Sequence, residues 1–132
     1  MRRVVLLAVL AACPSATPDP QPPKRPNNEL VVGDFSRKPP DGEMAVRFGT
    51  DGSFIFAKTK GDLGKPPHLA DGTFTVEADQ LTFTATKGMC ADGAKSGSYK
   101  VVISKIGIRF TKVDDGCADR ARLDGQTLWR VQ

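Results

Sequence analysis

The lengths of the connections between strands constrain this chain more than any other feature of its sequence. From residue 30 onward apolar and polar residues alternate, as in Leu81-Thr82-Phe83-Thr84-Ala85-Thr86, Thr73-Phe74-Thr75-Val76-Glu77 and Ile106-Gly107-Ile108-Arg109-Phe110-Thr111. A period of two marks half-buried β-strands. With 30–35, 44–48, 53–57, 97–103 and 127–131, the segment reads as eight strands. No segment keeps a helical period, and 118–123 reads as a single helical turn. Strand 53–57, Ser-Phe-Ile-Phe-Ala, is apolar on both faces, so its outer face is expected to be covered. Three joins are tight: Gly49-Thr50-Asp51-Gly52, Ala78-Asp79-Gln80 and Ser104-Lys105. The other four, 36–42, 59–72, 87–96 and 113–126, are long, and the two kinds alternate strictly along the chain. In an up-and-down barrel alternate connections fall at opposite ends, so every long loop would surround one mouth. A sandwich with Greek-key crossovers has no reason to produce that order. The expected fold is all-β: an eight-stranded antiparallel up-and-down barrel over residues 30–132.

The N-terminus carries an address. Met1-Arg2-Arg3 is followed by nine apolar residues, 4–12, too few to cross a bilayer but suited to the centre of a signal peptide. The run closes in Leu10-Ala11-Ala12-Cys13, which resembles the lipobox of bacterial lipoproteins. That resemblance implies cleavage before Cys13, a thioether to diacylglycerol on Cys13 and acylation of the new amine. The alternative is an ordinary secretory signal with an incidental cysteine. The chain then divides into a signal peptide, 1–12, a lipidated Cys with a Pro-rich linker, 13–29, and the barrel. The expected location is the bacterial cell envelope, with the membrane as a partner through Cys13. Pro14 is not the Asp that resembles an inner-membrane retention signal, so the outer membrane is expected where there are two.

Residues 14–29 hold six of the ten prolines and no large apolar side chain. Such a segment cannot bury a core and serves as a tether, reaching at most about 50 Å as polyproline II. Loss of Arg2 and Arg3 lowers the formal charge from +4 to about +2, which removes the main support for nucleic-acid binding.

With Cys13 lipidated, Cys90 and Cys117 remain. An even pair in an oxidising compartment is expected to form a disulfide. In the barrel both would stand on the long-loop rim, with one strand between them. A metal pair is the other reading, but the only histidine, His68, lies in a Pro-rich loop and there is no CxxC. No metal or cofactor is expected.

An eight-strand meander that opens with Gly33-Asp34-Phe35 and ends with Trp129-Arg130 resembles the calycin superfamily, especially lipocalin-like domains of bacterial lipoproteins. The stretches Gly72-Thr73-Phe74-Thr75-Val76 and Asp114-Asp115-Gly116-Cys117-Ala118-Asp119-Arg120 are also similar to small lipoproteins of this kind. In lipocalins a Gly-x-Trp on the first strand packs under an Arg from the last. Here Phe35 stands where Trp is usual, and the resemblance implies Arg130 as its counterpart.

Catalytic chemistry finds little support. His68 is flanked by Pro66-Pro67 and Leu69 without a GxSxG elbow. Gly61-Asp62-Leu63-Gly64-Lys65 lacks the glycine spacing and the Ser/Thr of a phosphate loop. Asp114, Asp115 and Asp119 crowd one loop but lack EF-hand spacing and read as turn residues. Basic and acidic residues balance in the four long loops, so the mouth presents no field of one sign. The sequence points to a non-enzymatic, membrane-tethered protein that binds a small apolar or amphipathic molecule. Phe48, Phe74, Val76, Leu81, Phe83, Tyr99, Val101, Ile106, Ile108 and Phe110 are expected to face inward, lining a cavity or packing as core. The alternative is a module that binds an envelope protein, such as an inhibitor of a secreted hydrolase, through its rim loops.

Overall fold

The computed structural model describes residues 25–37 and 42–131. Cys13, the segment 1–12 and the tether as far as residue 24 lie outside the described residues. Eight strands form a closed antiparallel barrel in sequence order: β1 (Gly33–Arg37), β2 (Met44–Phe48), β3 (Ser53–Ala57), β4 (Ala70–Glu77), β5 (Gln80–Gly88), β6 (Ser96–Ile103), β7 (Gly107–Asp115) and β8 (Thr127–Arg130). The long and tight connections alternate as expected, which gathers the β3–β4, β5–β6 and β7–β8 loops at one mouth and the three tight turns at the other end; residues 38–41 of the expected loop 36–42 lie outside the described residues.

Differences from the sequence reading sit at strand ends. Residues 30–32 are not extended: Asn27–Leu30 forms a short helix, α1, and β1 starts only at Gly33. The apolar run Leu30-Val31-Val32 reads as a strand in sequence. Its use is to close the tight-turn end, where Val31 is fully buried and Leu30 and Val32 pack on the core. The Asn27 side-chain amide donates to the Ala78 carbonyl at 2.8 Å and fixes α1 across the β4–β5 turn. β4 begins three residues early, at Ala70, and β7 runs on to Asp115. The expected helical turn is a 3₁₀ turn over Arg120–Leu123.

Alternation sorts the side chains. Phe35, Val46, Phe48, Phe54, Phe56, Leu81, Phe83, Tyr99, Val101, Ile108, Phe110 and Leu128 form one buried core. The outer face of β3 is covered, as its composition implied. Leu63, after a 3₁₀ turn at Lys60–Asp62, folds down with Ala45, Ala57 and Ile55 as a second cluster. Arg47 supports this strap, gripping Asp34 at 2.8 and 3.0 Å and reaching the Leu63 carbonyl at 3.5 Å.

Among the described residues the seam between β1 and β8 closes the barrel through two paired positions, Phe35↔Arg130 and Ser36↔Trp129, and a bond of 2.9 Å from the Val131 N–H to the Asp34 carbonyl. Arg130 compensates. Its guanidinium lies 4.5 Å from the centre of the Phe35 ring and donates to the carbonyls of Val32 (2.9 Å), Leu30 (2.8 Å), Ser104 (3.1 Å) and Lys105 (3.1 Å). One side chain thus ties α1, β1, β8 and the β6–β7 turn. Gly33 makes the approach feasible: its φ is +139°, and a Cβ there would stand 2.7 Å from the Arg130 Nη1. Replacing Arg130 by Ala should therefore cost about 2 kcal/mol or more, since several charge-assisted bonds are lost and carbonyls are left unpaired. Arg130→Lys should recover less than half of that loss, because an ammonium lacks the planar fork. Urea unfolding of the variants measures both.

Candidate functional site

Of the ten residues expected to face inward, seven (Phe48, Leu81, Phe83, Tyr99, Val101, Ile108 and Phe110) are buried in the core, and Phe74 and Val76 pack against it half-buried. Ile106 does not face inward. It is 65% exposed, because the β6–β7 turn includes it and β7 starts one residue later. The rings meet one another in mid-barrel. Phe83 lies 5.1 to 6.3 Å from Phe54, Phe56, Phe48, Tyr99 and Phe110, and Phe74 lies 4.9 Å from Phe48. An eight-stranded barrel encloses a space that side chains can fill, and these aromatic contacts fill its middle.

An apolar hollow lies above this plug. A cavity of about 220 Å³ opens among the long loops, lined by Met44, Phe56, Leu69, Met89 and Leu123, with Asp119, Arg120 and Arg122 beside them. None of the ten inward positions lines it. Apart from Phe56, a core residue of β3, its apolar walls come from strand ends and loops, where the alternation that identified the core no longer applies.

The rim is braced from inside. Cys90 and Cys117 form the expected disulfide, with Cα atoms 5.9 Å apart. Next to it, Arg120 grips Asp115 with two bonds of 2.7 Å and donates to the carbonyls of Lys95 (3.0 Å) and Ala94 (2.9 Å). The Arg120 and Asp115 side chains are 1% and 0% exposed. The Tyr99 hydroxyl donates to Asp115 Oδ2 and lies 3.0 Å from the Arg120 carbonyl, while the Cys117 N–H donates to Asp115 Oδ1 at 2.9 Å. Tyr99, the one inward polar group legible in the sequence, thus finds its partner.

A β-bulge selects which aspartate does this. The β6–β7 register slips between Ser98 and Tyr99, so that Tyr99 pairs with Lys112 but Ser98 with Asp114 and Gly97 with Asp115. The extra residue reverses the inward side of the strand, turning Asp115 in and Asp114 out. Gly97 opposite is obligatory, because a Cβ there would lie 2.4 Å from the Asp115 carboxylate. Arg120 and Asp115 therefore do not belong to the surface charges of the mouth. Among the described residues no three His, Cys, Asp or Glu come together as a metal site.

Burial, together with the carboxylate of Asp115, pushes the Tyr99 phenol well above its ordinary value. Burial opposes the charge of Asp115, but hydrogen bonds from Arg120, Tyr99 and the Cys117 N–H outweigh it and hold the carboxyl below the usual range. His68 sits outside the mouth cavity. Its Nδ1 is 3.1 Å from Asp71 Oδ1, and its Nε2 is buried without a partner among the described residues. No protein-family model matches the chain, and no curated protein matches it either.

Two outcomes follow from the brace. The folded state holds the Tyr99 proton more tightly than the unfolded chain, so this group's stability is full below about pH 10 and is lost as pH rises above it. Tyr99→Phe should flatten that alkaline decline relative to the parent, as read by urea midpoints across pH. Reducing Cys90–Cys117 reopens a loop of 27 residues and should cost about 2–4 kcal/mol, measured by unfolding with and without reductant.

Proposed function

We propose that this chain is a non-enzymatic, lipid-anchored protein of the bacterial envelope that binds a small apolar or amphipathic molecule at its long-loop mouth. The observation that carries the reading is the apolar cavity above a filled barrel, walled by Met44, Phe56, Leu69, Met89 and Leu123. Ligand sites are mostly apolar hollows with a few polar groups, and barrel mouths are among their preferred places. Two methionines suit such a wall, since the flexible thioether adapts to varied shapes. Arg122 and Asp119 stand at the edge and offer a charge of either sign to a polar head. The disulfide and Arg120 hold the walls in place before a ligand arrives, which lowers the ordering cost of binding.

The position of Arg130 over Phe35 beside Gly33 supports a calycin-like reading of the barrel, since the resemblance assigned Arg130 that place. Leu10-Ala11-Ala12-Cys13 supports the anchor, and several acyl chains on one residue hold a protein stably.

Binding is tested with an environment-sensitive apolar fluorophore on soluble Cys13→Ala protein. The expected result is saturable binding that Met89→Trp, which fills the cavity from a half-buried position, abolishes while the unfolding midpoint stays near that of the parent. Absence of saturable binding, or binding indifferent to Met89→Trp, moves the function to the rim loops and an envelope protein partner. The anchor is tested separately: Cys13→Ala should abolish the acyl mass increment and release the protein from the membrane fraction.

A further inference from the structure

The tight-turn end carries three exposed apolar side chains that the barrel does not use. Trp129 is 49%, Ile106 65% and Val102 68% exposed. They occupy one corner. Val102 pairs with Arg109 across β6–β7, and Gly107, two residues before Arg109, pairs with Trp129 across β7–β8. Gly107 has no side chain of its own, and the Trp129 ring lies over it. The Arg130 N–H donates to the Ile106 carbonyl at 2.8 Å, bringing the β6–β7 turn against the end of β8.

Cations are in excess at this corner, since its carboxylates are already paired, Asp34 with Arg47 and Asp79 with Lys100. Lys105, Arg109 and Arg130 have no carboxylate partner among the described residues: Arg130 is bound to main-chain carbonyls and Arg109 to the Thr127 hydroxyl. Lys100 nearby is paired with Asp79 at 3.6 Å. The chain also enters the barrel at this end, because α1 crosses it from the Ala78 carbonyl to Arg130. Arg25 follows Cys13 by twelve positions, so an anchor on Cys13 keeps this end within about 40 Å of the bilayer.

We propose that the β6–β7–β8 corner docks on the surface of an anionic bilayer. Trp129, Ile106 and Val102 enter the interface, and Lys105 and Arg109 meet lipid phosphates. Trp is favoured at the headgroup level, and cations near an anionic leaflet are attracted to it. The long-loop mouth then faces away from the membrane that holds the protein. The proposal rests on the reading of Cys13 as a lipid anchor, although the docking contact itself does not use the lipid.

Trp129 is the only tryptophan, so its emission reports on this corner directly. The barrel and its disulfide lie within the described residues, so the processed chain, residues 13–132 with Cys13→Ser, carries all of them. With vesicles of equal parts phosphatidylcholine and phosphatidylglycerol, Trp129 emission should move to shorter wavelength and the protein should sediment with the lipid. Pure phosphatidylcholine should give a much weaker effect. Each cation removed should weaken partitioning about fivefold, and the double variant Lys105→Glu/Arg109→Glu should abolish it at moderate salt. Ile106→Ser, at an exposed turn, should weaken it without moving the unfolding midpoint. No shift with anionic vesicles overturns the proposal, as does equal binding to both compositions. A concentration-dependent shift without vesicles also overturns it, in favour of a second copy of the chain. Intact mass of the envelope-extracted protein separates the two readings: acylated Cys13 with no vesicle shift sinks the docking alone, and vesicle docking with an unmodified Cys13 sinks the anchor alone.

Discussion

Closure of the sheet is the constraint on which everything else in this molecule depends, and it is secured at its weakest point by a side chain. Among the described residues β1 and β8 share two paired positions, far fewer than the eight pairs of β4 and β5. An open seam would leave two strand edges exposed, a standing risk of pairing with other chains. Arg130 covers the seam from below, with its guanidinium over Phe35 and four carbonyls around it. The same contact holds α1 under the barrel, so one residue both closes the ring and seals its floor.

The opposite end is built on a different principle. There the long loops must hold their shape without ladder hydrogen bonds. The chain supplies a disulfide between Cys90 and Cys117 and a buried ion pair between Arg120 and Asp115, completed by Tyr99. A buried pair does not by itself stabilise, because desolvation offsets much of the attraction. What it supplies here is position: Arg120 reaches the Ala94 and Lys95 carbonyls, so the β5–β6 and β7–β8 loops are fixed to each other beside the cavity. The floor is closed by one cation over an aromatic ring and the rim by another over a carboxylate, and the aromatic plug fills the space between.

Much of this was legible in the residues. Alternation gave the strands, and the order of loop lengths gave the up-and-down topology and the gathering of long loops at one end. An even pair of cysteines on that rim gave the disulfide, and the two-faced apolarity of 53–57 gave the outer strap. Errors arose where alternation stops. Ile106 and the run 30–32 lie at strand ends, where an apolar residue can serve a turn or a floor as well as a wall. The cavity residues Met44, Leu69, Met89 and Leu123 carry no periodic signal for the same reason.

The sequence by itself determined the number of strands, their order around the barrel and the end at which each loop lies, because these follow from period and spacing along the chain. It could not determine that Asp115 rather than Asp114 turns inward. That depends on one extra residue in the register between β6 and β7, and either aspartate suits a turn equally well when read alone. Nor could it decide whether the barrel is hollow. Inward-facing phenylalanines can line a cavity or fill it, and only the ring-to-ring distances in three dimensions separate the two. Facing is a local property of a strand, while volume belongs to all eight at once.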